Sequence, residues 1–399
     1  MHVRKDTGVG SSSRCLGGKT VLLAVSGGIA AVESVKLARE LRRHGATVFS
    51  MMTSSAERVI TPLALSWGSG SDVITDWGPG MVQLDGFDGV LLAPATRNTI
   101  AKHVHGIIDS PVMMALSAAR GNGTPLLLVP SMHDDLFHDP VTGDLIDALE
   151  SDGAAVLVDD SSEGRIKQPD AISIVAEFCN LLNSGLNNRK RVAITLGANR
   201  APIDAVRAIQ NASSGQTGWA IAEHLHRMGH EIICIAGKTS ARPSFQLPDV
   251  RRDGTPDGML SVSLEVAKSE NKPEAWIHAA AVLDYYAHPE DGKRASGEES
   301  WELILNPGPK HISELTPIVV GSTRIGFKLE VDVPESTLVE RAMEQIAAYG
   351  VDAVVANLMG EMGDGGAPRC RIVKPDGSIH LVKDDLELCE AIEAIISSN

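Results

Sequence analysis

Asn211-Ala-Ser-Ser-Gly-Gln-Thr-Gly218 follows a strand-like run, Arg191-Val-Ala-Ile-Thr-Leu196, and a loop, Gly197-Ala-Asn-Arg-Ala-Pro-Ile-Asp204. It leads into a helix-like run, Trp219-Ala-Ile-Ala-Glu-His-Leu-His-Arg-Met228. Small residues where a strand hands over to a helix let backbone N–H groups approach a phosphate. A similar transition opens the chain at Val21-Leu-Leu-Ala-Val-Ser-Gly-Gly-Ile-Ala30. Two nucleotide-binding units in series are therefore expected.

The rest of the chain alternates in the same way. In the first half, apolar runs predict strands at 21–25, 47–52, 89–93, 126–129 and 155–158. Helices are expected at 31–44, near 55–65, at 98–106, near 111–119, and at 144–151 and 171–182. In the second half, strands are expected at 192–196, 231–236, 275–279, 301–305, 323–327 and 353–355. A hairpin, 370–373 with 378–382, turns at Pro375-Asp-Gly377. Helices are expected at 218–228, 335–348 and 385–396. Val-, Leu- and Ile-rich strands separated by amphipathic helices predict an α/β fold of two doubly wound, Rossmann-like domains. Ligands on such sheets sit beyond the carboxyl ends of the strands. The polar break Asn183-Ser-Gly-Leu-Asn-Asn-Arg-Lys190 is the best boundary. The expected organisation is a disordered tail at 1–18, a first domain at 19–184, a linker at 185–190 and a second domain at 191–399.

Composition narrows the class. At 399 residues the chain exceeds one ordinary core. Its 43% hydrophobic and 22% charged residues are ordinary for a globular protein. The net charge of -15 argues against nucleic acid as a partner, since no basic run tracks a phosphate backbone. Apolar runs such as Gly89-Val-Leu-Leu-Ala93 are strand-length, so no membrane span is expected. The polar stretch from Met1 to Gly18 lacks a signal-peptide core, and a cytoplasmic location is expected. The five cysteines, Cys15, Cys179, Cys234, Cys370 and Cys389, form no CxxC pair, which argues against a disulfide framework or a zinc site.

Three polar turns of the first half follow strands directly: Ser26-Gly-Gly-Ile-Ala30, Ala93-Pro-Ala-Thr-Arg-Asn-Thr-Ile100 and Pro130-Ser-Met-His-Asp-Asp135. Each alone reads as a solvated turn; together they favour a ligand site on one sheet edge. These stretches, with Met52-Thr-Ser-Ser-Ala56 and Gly106-Ile-Ile-Asp109, resemble the homo-oligomeric flavin-containing cysteine decarboxylases, most closely the phosphopantothenoylcysteine decarboxylases. The resemblance covers residues 19–182 and implies a flavodoxin-like flavoprotein domain. It implies FMN held by Ser26, Gly27, Gly28, Ser54, Thr96, Asn98, Thr99 and Met132. Three positions depart from the family pattern. Met81 stands where the family has a histidine, His133 replaces the asparagine of Pro-x-Met-Asn, and the segment Asp159–Lys167 lacks the family's catalytic cysteine. One reading is a rewired site in which His133 binds the substrate carboxylate and His105 or Lys167 handles protons. The other is an impaired decarboxylase. Taken singly, His103, His105 and His138 read as exposed helix or loop residues.

The second half resembles the phosphopantothenate–cysteine ligases. The match rests on Arg200-Ala-Pro-Ile-Asp204, Asn211-Ala-Ser-Ser-Gly-Gln-Thr-Gly218, Ala279-Ala-Ala-Val-Leu-Asp-Tyr285, Gly292-Lys293, Gly326-Phe-Lys-Leu-Glu330 and Val354-Val-Ala-Asn357, across residues 191–399. It implies activation of phosphopantothenate by CTP with Mg2+, giving an acyl-cytidylate that cysteine then attacks. It assigns Ser213, Ser214 and Gly215 to phosphates, Asn211 to the acyl phosphate, Asp284 to base or ribose, Lys293 to phosphate charge, Phe327 to the base, and backbone groups to Ala280. Lys293 alone could be a solvated loop lysine, Asp284 a turn residue and Phe327 core. The resemblance also implies homo-oligomers, with trimers of the flavin half and dimers of the ligase half. The expected function is two consecutive steps of coenzyme A biosynthesis. Alternatives are a ligase with an inactive flavin domain and a flavin-binding interaction subunit.

Overall fold

The computed structural model describes residues 8–78, 86–159, 161–162, 164–295, 297, 300–361 and 366–398. Two units are distinguished, residues 1–185 with 227–229, and residues 186–226 with 230–399. Met81 lies outside the described residues, as do Asp160 and Glu163 of the segment without cysteine.

The first unit is built on strands β1 (Thr20–Val25), β2 (Thr47–Met52), β3 (Val73–Ile74), β4 (Gly89–Ala95), β5 (Leu126–Pro130) and β6 (Ala155–Val156). Their order is β3-β2-β1-β4-β5-β6, and every pairing is parallel. Residues 21–25 of β1 are all 0% exposed, because both faces are covered. Val21, Leu23 and Val25 join Leu37, Leu41 and Phe178 in one cluster. Leu22 and Ala24 join Val112, Leu116 and Leu149 in another. The period of two thus divides a continuous apolar run between two cores. The first cluster includes α1 (Ser34–Arg43) and α6 (Ala171–Ser184); the second includes α3 (Arg97–Val104), α4 (Pro111–Asn122) and α5 (Pro140–Ser151). A further helix, α2, spans Pro62–Ser69.

The second unit carries β7 (Arg191–Leu196), β8 (Glu231–Ala236), β9 (Asp249–Arg252), β10 (Ala275–His278), β11 (Thr323–Glu330), β12 (Ala353–Leu358), β13 (Cys370–Val373) and β14 (Ile379–Val382). Their order is β9-β8-β7-β10-β11-β12-β13-β14. The first six are parallel and the last two add an antiparallel hairpin. Helices α7 (Gln216–Arg227), α8 (Pro256–Ala267), α9 (Glu335–Tyr349) and α10 (Asp385–Ser398) complete the alternation. Among the described residues no helix is long and apolar enough to cross a membrane.

Several expectations are corrected. The tail is not disordered throughout: Leu16 is 0% exposed, and the N–H groups of Ser12 and Leu16 donate to Arg43 and His44 carbonyls, both at 2.8 Å. Ser13 Oγ lies 2.5 Å from His44 Nδ1, and His44 Nε2 lies 3.3 Å from Glu40. A polar run hid one buried leucine. The helix expected near 55–65 is split into a short 3-10 turn at Ala56–Arg58 and α2. Pro62 occupies the first turn of α2 and holds Thr61 extended, where Thr61 Oγ1 caps Ala64 N–H. The strand expected at 301–305 does not form, and Ile304 is 79% exposed. Its hydrophobic residues find no sheet partner; the Trp301 ring instead lies under the guanidinium groups of Arg207 and Arg294. Strand β9 and helix α8 were not expected at all.

Candidate functional site

In the first unit the carboxyl ends of β1, β4 and β5 are neighbours, so their turns meet. Ser26 Oγ donates to the Pro94 carbonyl (2.7 Å) and accepts from Thr96 N–H (2.9 Å). Thr96 Oγ1 lies 3.0 Å from Thr99 Oγ1 and caps α3 by accepting from Thr99 N–H. Ser131 N–H donates to the Ala95 carbonyl (3.1 Å), which brings in the turn carrying Met132. Gly27 approaches the turn after β2: a Cβ there would lie 2.3 Å from Ser55 Cβ. Only glycine permits this contact. Ser26, Gly27, Gly28, Thr96 and Thr99 therefore form one edge, with exposed Ser54 and Asn98 beside it.

His133 is exposed and precedes the short helix Asp134–Phe137. It pairs across a two-residue ribbon with Arg165, as Met132 pairs with Ile166. Lys167 follows that ribbon. His105 is the C-cap of α3, at the end opposite Thr96. An eight-residue helix spans about 12 Å, which separates His105 from the polar edge. His103 is not an exposed helix residue: it is 2% exposed, and burial, then the nearby Arg120 charge, lowers its pKa to about 4. His138 Nδ1 lies 2.8 Å from the Asp134 carbonyl oxygen.

In the second unit the quoted loop sits at the head of α7. Gly215 has φ +79, and a Cβ there would lie 2.6 Å from Thr239 Cγ2. Gly197 in the preceding loop has φ +80 and meets the same methyl group at 2.7 Å. Neither position accommodates a side chain, so two backbone turns stack against Thr239. Asn211 Nδ2 donates to the Ala281 carbonyl (2.9 Å), tying the loop to the turn after β10. Ser213 N–H donates to the Asn211 carbonyl, at 3.0 Å. The N–H groups at the start of α7 and its positive end together suit an anion.

Beyond the ends of β10 and β11 lies a cavity of about 420 Å³. Ala280, Asp284 and Phe327 line it, together with His278, His311 and Gln345. Asn211, Ser213, Ser214, Gly215 and Lys293 do not. Lys293 is exposed in a segment pinned to the Arg200–Arg207 loop: Ala205 N–H donates to the Gly292 carbonyl (2.9 Å), and Arg294 N–H donates to Asp204 (3.3 Å). That loop borders a second cavity of about 460 Å³ with Arg200, Arg207, Lys238 and Arg252 on its walls. Asp204 pairs with Arg207. The backbone N–H groups of Val206 and then Arg207 are foremost in holding the Asp204 carboxyl down at about 2. His278, Gln345, Lys238 and Arg252 were missed by sequence reasoning. The available signal for His278 was its place at a strand end, directly before Ala279-Ala-Ala.

Residues 9–182 match the Flavoprotein family. Residues 187–386 match the DNA/pantothenate metabolism flavoprotein C-terminal domain. The chain is 36% identical over 360 residues to the coenzyme A biosynthesis bifunctional protein CoaBC of Thermococcus kodakarensis, covering 88% of each. The Methanocaldococcus jannaschii protein of that name is 32% identical over 354 residues, 87% of this chain and 85% of its own length. The Escherichia coli K12 protein is 33% identical over 374 residues, 86% of each. The chain, carrying both a flavoprotein domain and this C-terminal domain, belongs to the CoaBC family of bifunctional coenzyme A biosynthesis proteins.

Proposed function

We propose that the second unit joins 4'-phosphopantothenate to cysteine with CTP, and that the first unit decarboxylates the product to 4'-phosphopantetheine. The observation that carries the ligase half is the Asn211 side chain, fixed to the carbonyl of Ala281, whose neighbours Ala280 and Val282 line the 420 Å³ cavity. A carboxylate is a poor acyl donor. Its oxygen attacks the α-phosphate of CTP, pyrophosphate leaves, and an acyl-cytidylate forms. The cysteine amine then attacks the acyl carbon and CMP leaves. Ser214 and Gly215 present N–H groups and Ser213 its hydroxyl to the phosphates, Lys293 offsets their charge, and the amide of Asn211 holds the reacting acyl phosphate. Phe327 and Asp284, on the cavity wall, hold base and ribose. Mg2+ would be held mainly by the phosphate oxygens of CTP, where it would offset their charge.

The polar edge of the first unit fits FMN: the hydroxyl groups of Thr96 and Thr99 and the small-residue turn at Gly27 and Gly28, held in place by the buried Ser26 hydroxyl, suit a phosphate-bearing planar ring system. FMN, when bound, supplies the two-electron chemistry that lets carbon dioxide leave a carbon with no other electron sink. In this reading His133, opposite Arg165, holds the substrate carboxylate, and Lys167, the residue after that ribbon, moves a proton. His105, at the far end of α3, is given no part in this reading. The homo-oligomer and the cytoplasmic location belong to the same reading.

The ligase half is tested with purified protein, phosphopantothenate, cysteine, CTP and Mg2+. Pyrophosphate and CMP appear in equal amounts on turnover, and without cysteine pyrophosphate release stops at the single acyl-cytidylate that each site holds. Failure of pyrophosphate release under these conditions overturns the ligase assignment.

A further inference from the structure

Strand pairing sets His278 of β10 opposite Gly326 of β11, and Thr195 of β7 opposite His278. Paired positions in a sheet face the same side. Gly326 has no side chain on that side, and the amide of Gln345 on α9 packs into the place, where a Cβ would lie 2.7 Å from its nitrogen. The imidazole of His278 and the amide of Gln345 are therefore neighbours on one face of the sheet. Both line the 420 Å³ cavity. Each has a polar atom without a hydrogen-bond partner: Nε2 of His278 and Oε1 of Gln345.

His278 is only 9% exposed. A buried polar atom left unpaired has given up its hydration with nothing in return. Two such atoms on one cavity wall match a ligand edge that completes them. Burial foremost, then the charges of Arg324 and His311, hold the His278 pKa down at about 3. The ring is therefore neutral at pH 7, with one N–H to donate, and Oε1 accepts only.

We propose that His278 and Gln345 together select the nucleobase. The exocyclic amine of cytosine donates to Gln345 Oε1, and the neighbouring ring nitrogen accepts from His278 Nε2–H. Uracil presents the reverse edge, an acceptor against Oε1 and a donor against Nε2–H. Adenine carries the same amine and ring nitrogen as cytosine, so the pair sorts amino bases from keto bases. The assignment rests on the nucleotide reading of the second unit.

Calorimetric titration of the full chain with CTP and with UTP tests it, because the two differ only at this edge. The wild type binds CTP about tenfold or more tightly than UTP, the scale of one mismatched hydrogen-bonded edge. Gln345→Leu and His278→Phe each bring the ratio to within about threefold, by weakening CTP. Gln345 is half-buried on a helix, so its variant carries the test where replacement of His278 disturbs the strand. Equal binding of CTP and UTP by the wild type overturns the assignment alone. An unchanged ratio in folded Gln345→Leu does the same. Absence of binding by CTP, UTP, ATP and GTP overturns this assignment and the nucleotide reading together.

Discussion

Gly215 shows most directly how one residue constrains function. A methyl group there would press to 2.6 Å on Thr239 Cγ2 at a φ of +79. Gly215→Ala is expected to lower the stability of the second unit by about 1–3 kcal/mol and to abolish pyrophosphate release. Flavin absorbance is expected to stay; its loss would show that the effect is not confined to the loop. His133→Ala is expected to abolish carbon dioxide release while flavin remains bound, and unchanged turnover would refute the carboxylate role. Residues of this kind were legible because each sits in a run of small or polar side chains in a connection that leads from an apolar strand to a helix. His278 and Gln345 were not. They lie far apart in the sequence, and only the β10–β11 register and the packing of α9 over Gly326 bring them to one wall.

At the scale of elements, strand positions were legible from apolar runs of five or six residues between turn signals. The strand expected at 231–236 is observed with those bounds. The misses have identifiable causes. Helix α8 begins with Thr255 as N-cap, its hydroxyl accepting from Gly258 N–H, and with Pro256 in the first turn. That start signal was present, but the weak apolar stripe behind it obscured the helix. The segment 301–305 misled in the opposite sense, since an apolar run needs a sheet neighbour to become a strand. Caps also yield a prediction. Thr96→Val removes both the α3 cap and a partner of Ser26. It is expected to cost about 1 kcal/mol and to weaken flavin retention, measured by equilibrium dialysis. Retention equal to wild type would detach the cap from the flavin site.

For the whole molecule, the alternation of elements in both halves predicted the two doubly wound sheets, whereas the antiparallel hairpin on the second came from Pro375-Asp-Gly377. Acid sensitivity is set by buried histidines in both units. His103 and His278 have pKa values lowered from 6.5 to about 4 and about 3, burial being the main cause in each. Below 6.5 the unfolded chain takes up protons that the folded chain refuses. Stability is therefore expected to fall as pH drops from 6.5 towards 4, by about 1.4 kcal/mol per pH unit for each group. His103→Leu is expected to flatten that slope in denaturant titrations; an unchanged slope would contradict the burial argument. Glu40 acts in a lower window. Its hydrogen bond to His44 is foremost in holding its pKa at about 2, so that stabilisation is present above the normal carboxyl range near 4.5 and disappears as pH falls towards 2.

The central claim is that two consecutive reactions run on one chain. It is tested by supplying phosphopantothenate, CTP, Mg2+ and cysteine labelled in its carboxyl carbon to the flavin-loaded protein, and measuring pyrophosphate and labelled carbon dioxide over time. The account predicts pyrophosphate first, then labelled carbon dioxide approaching the same amount as phosphopantetheine accumulates. Pyrophosphate release with no labelled carbon dioxide would contradict it.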